Sequence, residues 1–486
     1  KKSNALALSF SSLRMAALLS GFALGAPSSS SSSSACTQMD NSYNTQYSAE
    51  ISIGSKEQKL LVIPDTGSFE LVIPSTFCNT SSCMVHERFN PYESKTYTPN
   101  PPDTSHKEAL NYGQGGVVAI VGYDDVHVGS ATAKDQIINL MYDETIRGYD
   151  GAEFDGIMGM GKNEDADGSG GSILGGSPAL MTNMGMGSIG VCLSQIDEEN
   201  GRLDLASSSS KLPSLYSGGT TLTSIGDYHW GLRLSGMGIK KDGEEDWLEG
   251  DEGYGCSDAE KSQGSCKSGD ACDSAPNCAA VIDTGTSLML LADNSYYALL
   301  DKIEEAAPGK MDELYGQTDC SGASALPSVM VKLGEEQKPL EIKPEVYMAT
   351  MPLPLGVDLK EWRATKQYTD LESKPGSTAP EPAGFVIDRC VDLFSTMDGR
   401  IMTQYNGLMY ILGMPLFRQF AVSFDRDADP HTISFADVSH SDSSGLCNGC
   451  KTTAEGVDSM RASARTGGGG GALLPPQGSL NATRRG

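Results

Sequence analysis

The sequence predicts a mainly β protein built around a duplicated strand-and-loop unit. Short alternations of apolar and polar residues, bounded by Gly, Asn, Asp and Pro, recur along the chain, as in Ala49–Gly54 and Val117–Gly122. Long apolar patterns with helical periodicity are scarce, and loops are expected to carry most of the chemistry. One short motif occurs twice in matching apolar frames, which indicates that one structural unit is present in two copies.

The repeated motif is Asp-Thr-Gly followed by Ser or Thr. An apolar run enters Asp65 in the first copy, Leu61–Ser68, and enters Asp283 in the second copy, Ala280–Ser287. A single Asp-Thr-Gly in a Gly-rich chain is an ordinary turn, whereas two in the same frame predict that each copy presents one carboxylate. Two carboxylates held close together cannot both ionise easily, so they share a proton and act together as an acid and a base.

The first 26 residues predict a secretory signal peptide. Three positive charges precede a short apolar stretch, Met15–Ala26, that ends in small residues. This stretch is too short for a membrane span, and we expect no other segment to cross a bilayer. The chain does not begin with Met, so it could be truncated at its start, or Met15 could be the start.

Residues 27–42 follow as a Ser-rich linker or a short pro-segment. We expect the protein in the secretory pathway, and finally outside the cell or in an acidic vacuolar or lysosomal compartment. The twelve cysteines then favour disulfides over metal ligands.

The charge balance argues against a nucleic-acid partner. The chain of 486 residues has a formal net charge of −27, and no stretch concentrates Lys and Arg into a phosphate-facing stripe. An acidic surface suits a protein that works at low pH, where partial protonation lowers its self-repulsion. It equally serves plain solubility.

Beyond the two motifs, the chain resembles the pepsin-like aspartic peptidases from about Tyr43 to Val438. Each similar segment is a weak signal alone, but together they are very specific. The segments that carry the resemblance are Phe69–Ser75 with Cys78 and Cys83, Asn111–Gly129, Phe154–Gly159, Cys272 and Cys278, Tyr410–Gly413, and Phe417–Arg426.

The resemblance implies a bilobal pepsin-like aspartic protease fold, mainly antiparallel β, with the active cleft between two related lobes. We expect the N-terminal lobe at residues 43–224, the C-terminal lobe at 225–438, and a disordered tail at 439–486. Relative to the family pattern, the chain has three insertions that are predicted to be surface loops, namely Lys162–Ser177, Asp242–Gly269 and Pro352–Pro382.

The resemblance also implies an activity, endopeptidase hydrolysis of polypeptides at acidic pH. Asp65 and Asp283 would be the catalytic pair, for which this family is the standard example. Thr66 and Thr284 would bond across the lobe junction. The remaining implied site residues are Gly67 and Gly285 in the tight turns, Ser68 and Thr286 on the outer carboxylate oxygens, and Tyr112, Gly113 and Gln114 on a substrate-binding flap.

The family pattern implies disulfides Cys78–Cys83, Cys272–Cys278 and Cys320–Cys390. We expect a fourth, Cys256–Cys266, inside the insertion Asp242–Gly269. Cys192 lies in an apolar run and is expected to be an inert free thiol. Cys447 and Cys450 stand alone as a Cys-x-x-Cys, for which a plain disulfide is favoured over a redox or metal site. Cys36 has no predicted partner.

Three departures from the family pattern bear on the site. Val72 stands where the family commonly has a Trp that holds the flap Tyr hydroxyl, so Tyr112 must find another partner. Pro64 precedes the first Asp and removes one backbone donor. The family's inhibitory pro-segment is longer and more basic than residues 27–42, so its restraint mechanism looks absent or different here.

A rival interpretation is a secreted, non-catalytic relative that binds peptides. Other catalytic classes lack their motifs, because the sequence has no His-Glu-x-x-His, no Gly-x-Ser-x-Gly and no Gly-Lys-Ser/Thr phosphate loop. The six His residues are scattered and are expected to be mostly exposed and structural. We expect no cofactor, no metal and a monomer that acts on polypeptides.

Overall fold

The structure is a computed structural model that describes residues 33–99, 107–112, 115–146, 148–162, 179–196, 199–226, 228–248, 278–334, 338–354, 386–397, 408–438 and 445–450. Several features expected from the sequence lie outside these residues: the signal peptide, flap residues Gly113 and Gln114, the cysteines Cys256, Cys266 and Cys272, and most of the three insertions.

The described residues are mostly in strands. The strands of the first half are β1 Ser34–Ser42, β2 Gln46–Ile53, β3 Gln58–Asp65, β4 Leu71–Pro74, β5 Thr98–Pro99, β6 Lys107–Tyr112, β7 Gly115–Val128, β8 Ala131–Glu144, β9 Gly156–Gly159, β10 Ser188–Cys192, β11 Gly201–Ala206 and β12 Thr220–Thr223. Those of the second half are β13 Gly231–Lys241, β14 Glu244–Trp247, β15 Ala279–Ile282, β16 Met289–Ala292, β17 Ser328–Leu333, β18 Leu340–Ile342, β19 Met348–Pro354, β20 Val386–Asp392, β21 Phe394–Met397, β22 Met409–Leu412, β23 Phe420–Asp425 and β24 Thr432–Asp437.

Helices are short by comparison. They are α1 Leu180–Asn183, α2 Asp293–Ala306, α3 Lys310–Tyr315, α4 Pro344–Tyr347 and α5 Met414–Gln419, with 3₁₀ turns at Cys83–Val85, Pro91–Glu93, Tyr149–Gly151, Ser209–Lys211, Ser214–Tyr216 and Ala323–Ala325. In α2, the longest of these, Tyr296, Leu299 and Ile303 are buried, and their spacing places them on one face of the helix.

Three sheets account for these strands. In the described part of the chain, the largest runs in the order β12-β24-β23-β10-β11-β1-β2-β3-β9-β4-β8-β7-β5, with β6 on β7. A second runs β18-β17-β13-β15-β22-β16-β21 with β14 on β13, and β19 pairs with β20 alone. Strands β23 and β24 come late in the sequence yet extend the sheet of the first half through β10, so this sheet joins the two halves.

The two halves repeat one arrangement of four strands. In the first half β3 lies parallel to β9, β9 lies antiparallel to β4, and β4 lies parallel to β8. In the second half β15, β22, β16 and β21 pair in the same order and with the same directions. The duplicated unit and the mainly β bilobal fold expected from the sequence are confirmed. Asp65 ends the first strand of its unit, and Asp283 directly follows the first strand of its own.

The beginning of the described chain differs from the expectation. Residues Ser34–Ser42, expected in a linker or short pro-segment, form strand β1 between β11 and β2. Within it Met39 is fully buried and the residues on either side of it are exposed, so one side of the strand faces the core. The Ser-rich residues that precede the strand gave no indication of this. These residues are part of the main sheet.

Two expected disulfides, Cys78–Cys83 and Cys320–Cys390, are present. Cys278 is also disulfide-bonded, with a partner outside the described residues. Two other expectations were wrong. Cys192 is not a free thiol but is bonded to Cys447, and Cys450 is bonded to Cys36 rather than to Cys447.

These two bonds anchor residues 445–450, which lie in the tail that the sequence predicts to be disordered. Cys36 lies in β1 and Cys192 ends β10, so the Cys-x-x-Cys pair is attached to two strands of the joining sheet. Sequence could not show this, because the partners are separated by 414 and 255 residues.

Candidate active site

Asp65 and Asp283 are brought together at the centre of a cleft. Asp65 ends β3, and Asp283 directly follows β15. Only 8% of Asp65 and 7% of Asp283 is accessible, so both carboxyl groups are largely withdrawn from water but still reachable from the cleft.

The hydrogen bonds of the two Asp residues are equivalent. One oxygen of each carboxyl accepts the backbone N–H two residues later, from Gly67 or Gly285, at 2.8 Å in both copies. The other oxygen accepts a hydroxyl, from Ser68 at 2.5 Å for Asp65 and from Thr286 at 2.6 Å for Asp283. Each carboxyl is therefore fixed in orientation by its own loop, which acid–base chemistry requires.

The two loops are joined by the threonines of the motifs. The Thr66 hydroxyl donates to the carbonyl of Ile282 at 2.8 Å, and the Thr284 hydroxyl donates to the carbonyl of Pro64 at 2.6 Å. Proline has no backbone N–H, but it keeps its carbonyl, so Pro64 can still accept this hydrogen bond. Both threonines are buried, so these bonds act in a low-dielectric environment.

Gly67 and Gly285 are needed for close approach rather than for an unusual backbone angle. Neither has a φ in the left-handed region. A Cβ at Gly67 would lie 2.7 Å from the carboxyl carbon of Asp283, and a Cβ at Gly285 would lie 2.5 Å from that of Asp65. Any side chain at either position would therefore push the two carboxyl groups apart.

A second pair of glycines, Gly159 and Gly413, packs closely against the two loops that carry Asp65 and Asp283. A Cβ at Gly159 would lie 2.3 Å from the backbone of Phe69, and one at Gly413 would lie 2.0 Å from the carbonyl oxygen of Thr286. The backbone N–H of Gly159 donates to the backbone carbonyl of Glu70, and the backbone N–H of Gly413 donates to the backbone carbonyl of Leu288. The apolar-apolar-Gly segments therefore lie directly against the two loops that carry Asp65 and Asp283.

The environment of Asp65 favours its neutral form. Burial raises the pKa of Asp65 well above its ordinary value of 3.8, and the neighbouring Asp283 carboxyl raises it further. The bonds from Ser68 and from the Gly67 N–H act in the opposite direction. A carboxyl that keeps its proton beside a second carboxyl is the arrangement in which one proton is shared between two acids.

Tyr112 lies at the end of β6, in the hairpin that β6 forms with β7, and lines the cleft with the two Asp residues. Its hydroxyl oxygen is buried and has no hydrogen-bond partner among the described residues. Val72 is fully buried in the cluster on which Tyr112 packs, and its side chain offers no donor. Burial raises the pKa of Tyr112, with Glu70 and Asp65 adding to the effect, so the phenol is neutral.

The cleft has a volume of about 910 Å³ and is lined by both halves of the chain. Its walls are mostly apolar, including Leu110, Phe154, Ile157, Leu290 and Met414. This size and lining fit an organic ligand such as a peptide segment. Among the described residues, no group of His, Cys, Asp and Glu is arranged to hold a metal ion, and no helix is long and apolar enough to cross a membrane.

Glu70 and His229 line the cleft but are not among the site residues that the sequence predicts. Glu70 lies in Phe69–Ser75, a segment from which the sequence predicts only the family resemblance. His229 was grouped with His residues expected to be exposed, yet its ring lies 5.4 Å from that of Phe69 and burial lowers its pKa. His229 directly precedes Trp230, which is fully buried, and this position in the sequence could have indicated that the His229 ring is partly buried.

Comparison with known proteins supports the same assignment. A family model described as eukaryotic aspartyl protease matches residues 46–188. Rat (Rattus norvegicus) gastricsin is 30% identical over 306 residues, covering 61% of this chain and 67% of the relative. Dog (Canis lupus familiaris) pepsin A is 27% identical over 400 residues, covering 81% of each chain. Rabbit (Oryctolagus cuniculus) pepsin II-2/3 is 26% identical over 400 residues, covering 80% of each.

With its duplicated strand unit, its two Asp-Thr-Gly loops and these similarities, the chain belongs to the pepsin-like aspartic peptidase family.

Proposed function

We propose that the protein is an aspartic endopeptidase that hydrolyses peptide bonds of polypeptides at acidic pH. The observation that carries the proposal is the equivalent placement of Asp65 and Asp283, each oriented by its own loop and close enough that neither facing glycine could bear a side chain. Relatives named pepsin and gastricsin support the same activity.

The reaction needs one ionised and one protonated carboxyl. The ionised Asp removes a proton from a water molecule as the water oxygen bonds to the carbonyl carbon of the substrate, and the protonated Asp donates its proton to the carbonyl oxygen. When the tetrahedral intermediate collapses, the C–N bond breaks and the amine leaves with a proton from the dyad. The shared proton makes one pair serve both steps.

The substrate would be an extended peptide that lies along the cleft. Its backbone would pair with exposed edges near β6, and its side chains would fill the apolar pockets. Tyr112 would cover the scissile bond and exclude water, which strengthens the electrostatic interactions of the dyad. A secretory or acidic compartment fits both the disulfides and the acid–base chemistry.

Digestion of denatured globin between acidic and neutral pH tests the proposal. We expect cleavage with an acidic maximum, inhibition by pepstatin, and none from the variant Asp283→Asn. Binding of pepstatin without any cleavage would instead identify a non-catalytic peptide-binding relative.

A further inference from the structure

Glu70 places a third carboxyl group in the cleft, and the proposed reaction does not use it. It directly precedes β4, on the loop that carries Asp65, and it lines the same cavity as Asp65, Asp283 and Tyr112. A peptide seated against the dyad would therefore pass beside this side chain.

The Glu70 carboxylate is poorly compensated inside the protein. Its side chain is half-buried, and one oxygen accepts the backbone N–H of Phe69 at a long 3.4 Å. In the part of the chain that the structure describes, no Lys or Arg forms an ion pair with it. Burial raises its pKa, and the nearby Glu108 carboxylate raises it further, against the opposing backbone N–H groups of Glu70 and Phe69.

The rest of the cleft does not supply the missing positive charge. Its lining includes the carboxyl groups of Asp65, Asp283 and Glu70 but, among the described residues, no Lys or Arg. The Glu108 carboxylate acts directly on Glu70, and Glu70 and Asp65 both act on the neutral Tyr112 phenol. The other titratable groups of the cleft include Asp283 and His229, and burial lowers the pKa of His229. A cation that enters this cleft would therefore meet a negative potential in a mostly apolar surrounding.

We infer that Glu70 is a specificity-determining residue that selects substrates with a lysine or arginine side chain close to the scissile bond. The apolar walls would accept the methylene stem of such a side chain, and its cationic head would form a charge-assisted hydrogen bond with Glu70. An apolar side chain at the same place would leave the half-buried Glu70 carboxylate unpaired. The inference rests on the proposed function, because it concerns the peptide on which the dyad would act.

The preference should depend on pH. Glu70 is neutral below its raised pKa and charged above it, so selection of a basic side chain should be weak at the most acidic pH and grow as pH rises. Lys and Arg keep their charge over this range, so the change reports the protein rather than the peptide.

Paired peptides that differ only by Lys or norleucine test the inference. The exchange is made in turn at each position within three residues of the scissile bond, and kcat/KM is measured from pH 3 to 7 for wild type, Glu70→Gln and the control Glu87→Gln. Glu87 is exposed and does not line the cleft, so its variant removes the same charge from another place.

We expect wild type and Glu87→Gln to prefer Lys by about tenfold at one position, with the ratio rising with pH. In Glu70→Gln the ratio should fall to about one at every pH, because kcat/KM for the Lys peptides falls relative to kcat/KM for the norleucine peptides. An equal Lys preference in wild type and Glu70→Gln would overturn the inference. A uniform loss for all peptides in Glu70→Gln would also overturn it and would make the residue a support of the loop.

Non-cleavable analogues of the same peptides separate this inference from the proposed function. If wild type cleaves no peptide, the peptidase proposal fails. The ratio of Kd values for the Lys and norleucine analogues, in wild type and in Glu70→Gln, then decides the role of Glu70 by binding alone.

Discussion

Thr66 and Thr284 exchange equivalent hydrogen bonds across the junction of the two halves. The backbone N–H of Thr66 donates to the Thr284 hydroxyl at 3.0 Å, and the backbone N–H of Thr284 donates to the Thr66 hydroxyl at 3.0 Å. Each hydroxyl in turn donates to a carbonyl of the opposite strand, at Ile282 or Pro64. The network is closed, so the distance between the two Asp residues depends on both threonines.

Removing one of these hydroxyls should weaken both the fold and the activity. In Thr66→Val the backbone N–H of Thr284 and the carbonyl of Ile282 would stay buried without their partner, which costs about 1–3 kcal/mol for each group. We expect a lower free energy of unfolding by urea denaturation and a lower kcat. Thr223→Val, on an exposed position of β12, is the matched control and should change neither. An unchanged kcat in Thr66→Val would show that the network does not set the dyad geometry.

The two carboxyl groups should be equally indispensable. Asp65→Asn or Asp283→Asn removes one of the two acids, so we expect each to lower kcat by about 10²–10⁴-fold. Circular dichroism should show a folded protein in both cases, because the amide is of the same size. Near wild-type turnover in either variant would contradict the role of the dyad.

The repeated motif could be predicted from sequence because its chemistry is local. Asp65 and Asp283 each follow a β-branched run and precede a Thr-Gly turn, so strand, turn and carboxyl are all visible within eight residues. The equivalent pairing of the four-strand units then follows from the duplication. What sequence misjudged was the reason for Gly67 and Gly285, because the close approach involves an Asp from the other half of the chain.

Features that depend on distant contacts could not be predicted. The bonds Cys36–Cys450 and Cys192–Cys447 join segments whose local sequence carries no sign of their partners. Helix α2 was missed because its apolar residues are interrupted by acidic ones, although Tyr296, Leu299 and Ile303 have helical spacing. Only the fold shows that Glu70 lines the same cleft as Asp65 and Asp283.

Stability should fall as pH rises, because of Asp65. Its pKa in the folded protein lies above the ordinary 3.8, so the folded state binds this proton more tightly than the unfolded state does. The contribution is fully present below about pH 4 and is lost as pH rises through the folded-state pKa. In Asp65→Asn there is no proton to lose, so its Tm should exceed that of wild type increasingly with pH.

A pH series of thermal melts from pH 3 to 7 checks this expectation. Glu87→Gln removes an exposed carboxylate and should follow the wild-type curve. A constant difference in Tm between Asp65→Asn and wild type would show that Asp65 is not protonated more readily in the folded state.

The ring of Tyr112 should matter more than its hydroxyl. In the part of the chain that the structure describes, the buried hydroxyl oxygen has no hydrogen-bond partner, and removal of such a group is close to neutral or stabilising. We therefore expect Tyr112→Phe to retain kcat/KM within about threefold, whereas Tyr112→Ala removes the lid and loses much more. Steady-state kinetics on one peptide compares the two. If the Phe variant were as impaired as the Ala variant, the hydroxyl would have to contact the substrate.

The Cys-x-x-Cys pair should stabilise the sheet that joins the two halves. Cys36–Cys450 and Cys192–Cys447 close loops with sequence separations of 414 and 255 residues, so each restricts the unfolded chain strongly. We expect Cys36→Ser/Cys450→Ser to lower the free energy of unfolding by about 2–5 kcal/mol, with a similar effect for Cys192→Ser/Cys447→Ser. Both bonds attach the same segment, residues 445–450. The two losses of unfolding free energy should therefore not add in the quadruple variant. Peptide mapping without reduction gives the pairing directly, and a peptide in which Cys447 is bonded to Cys450 would contradict it.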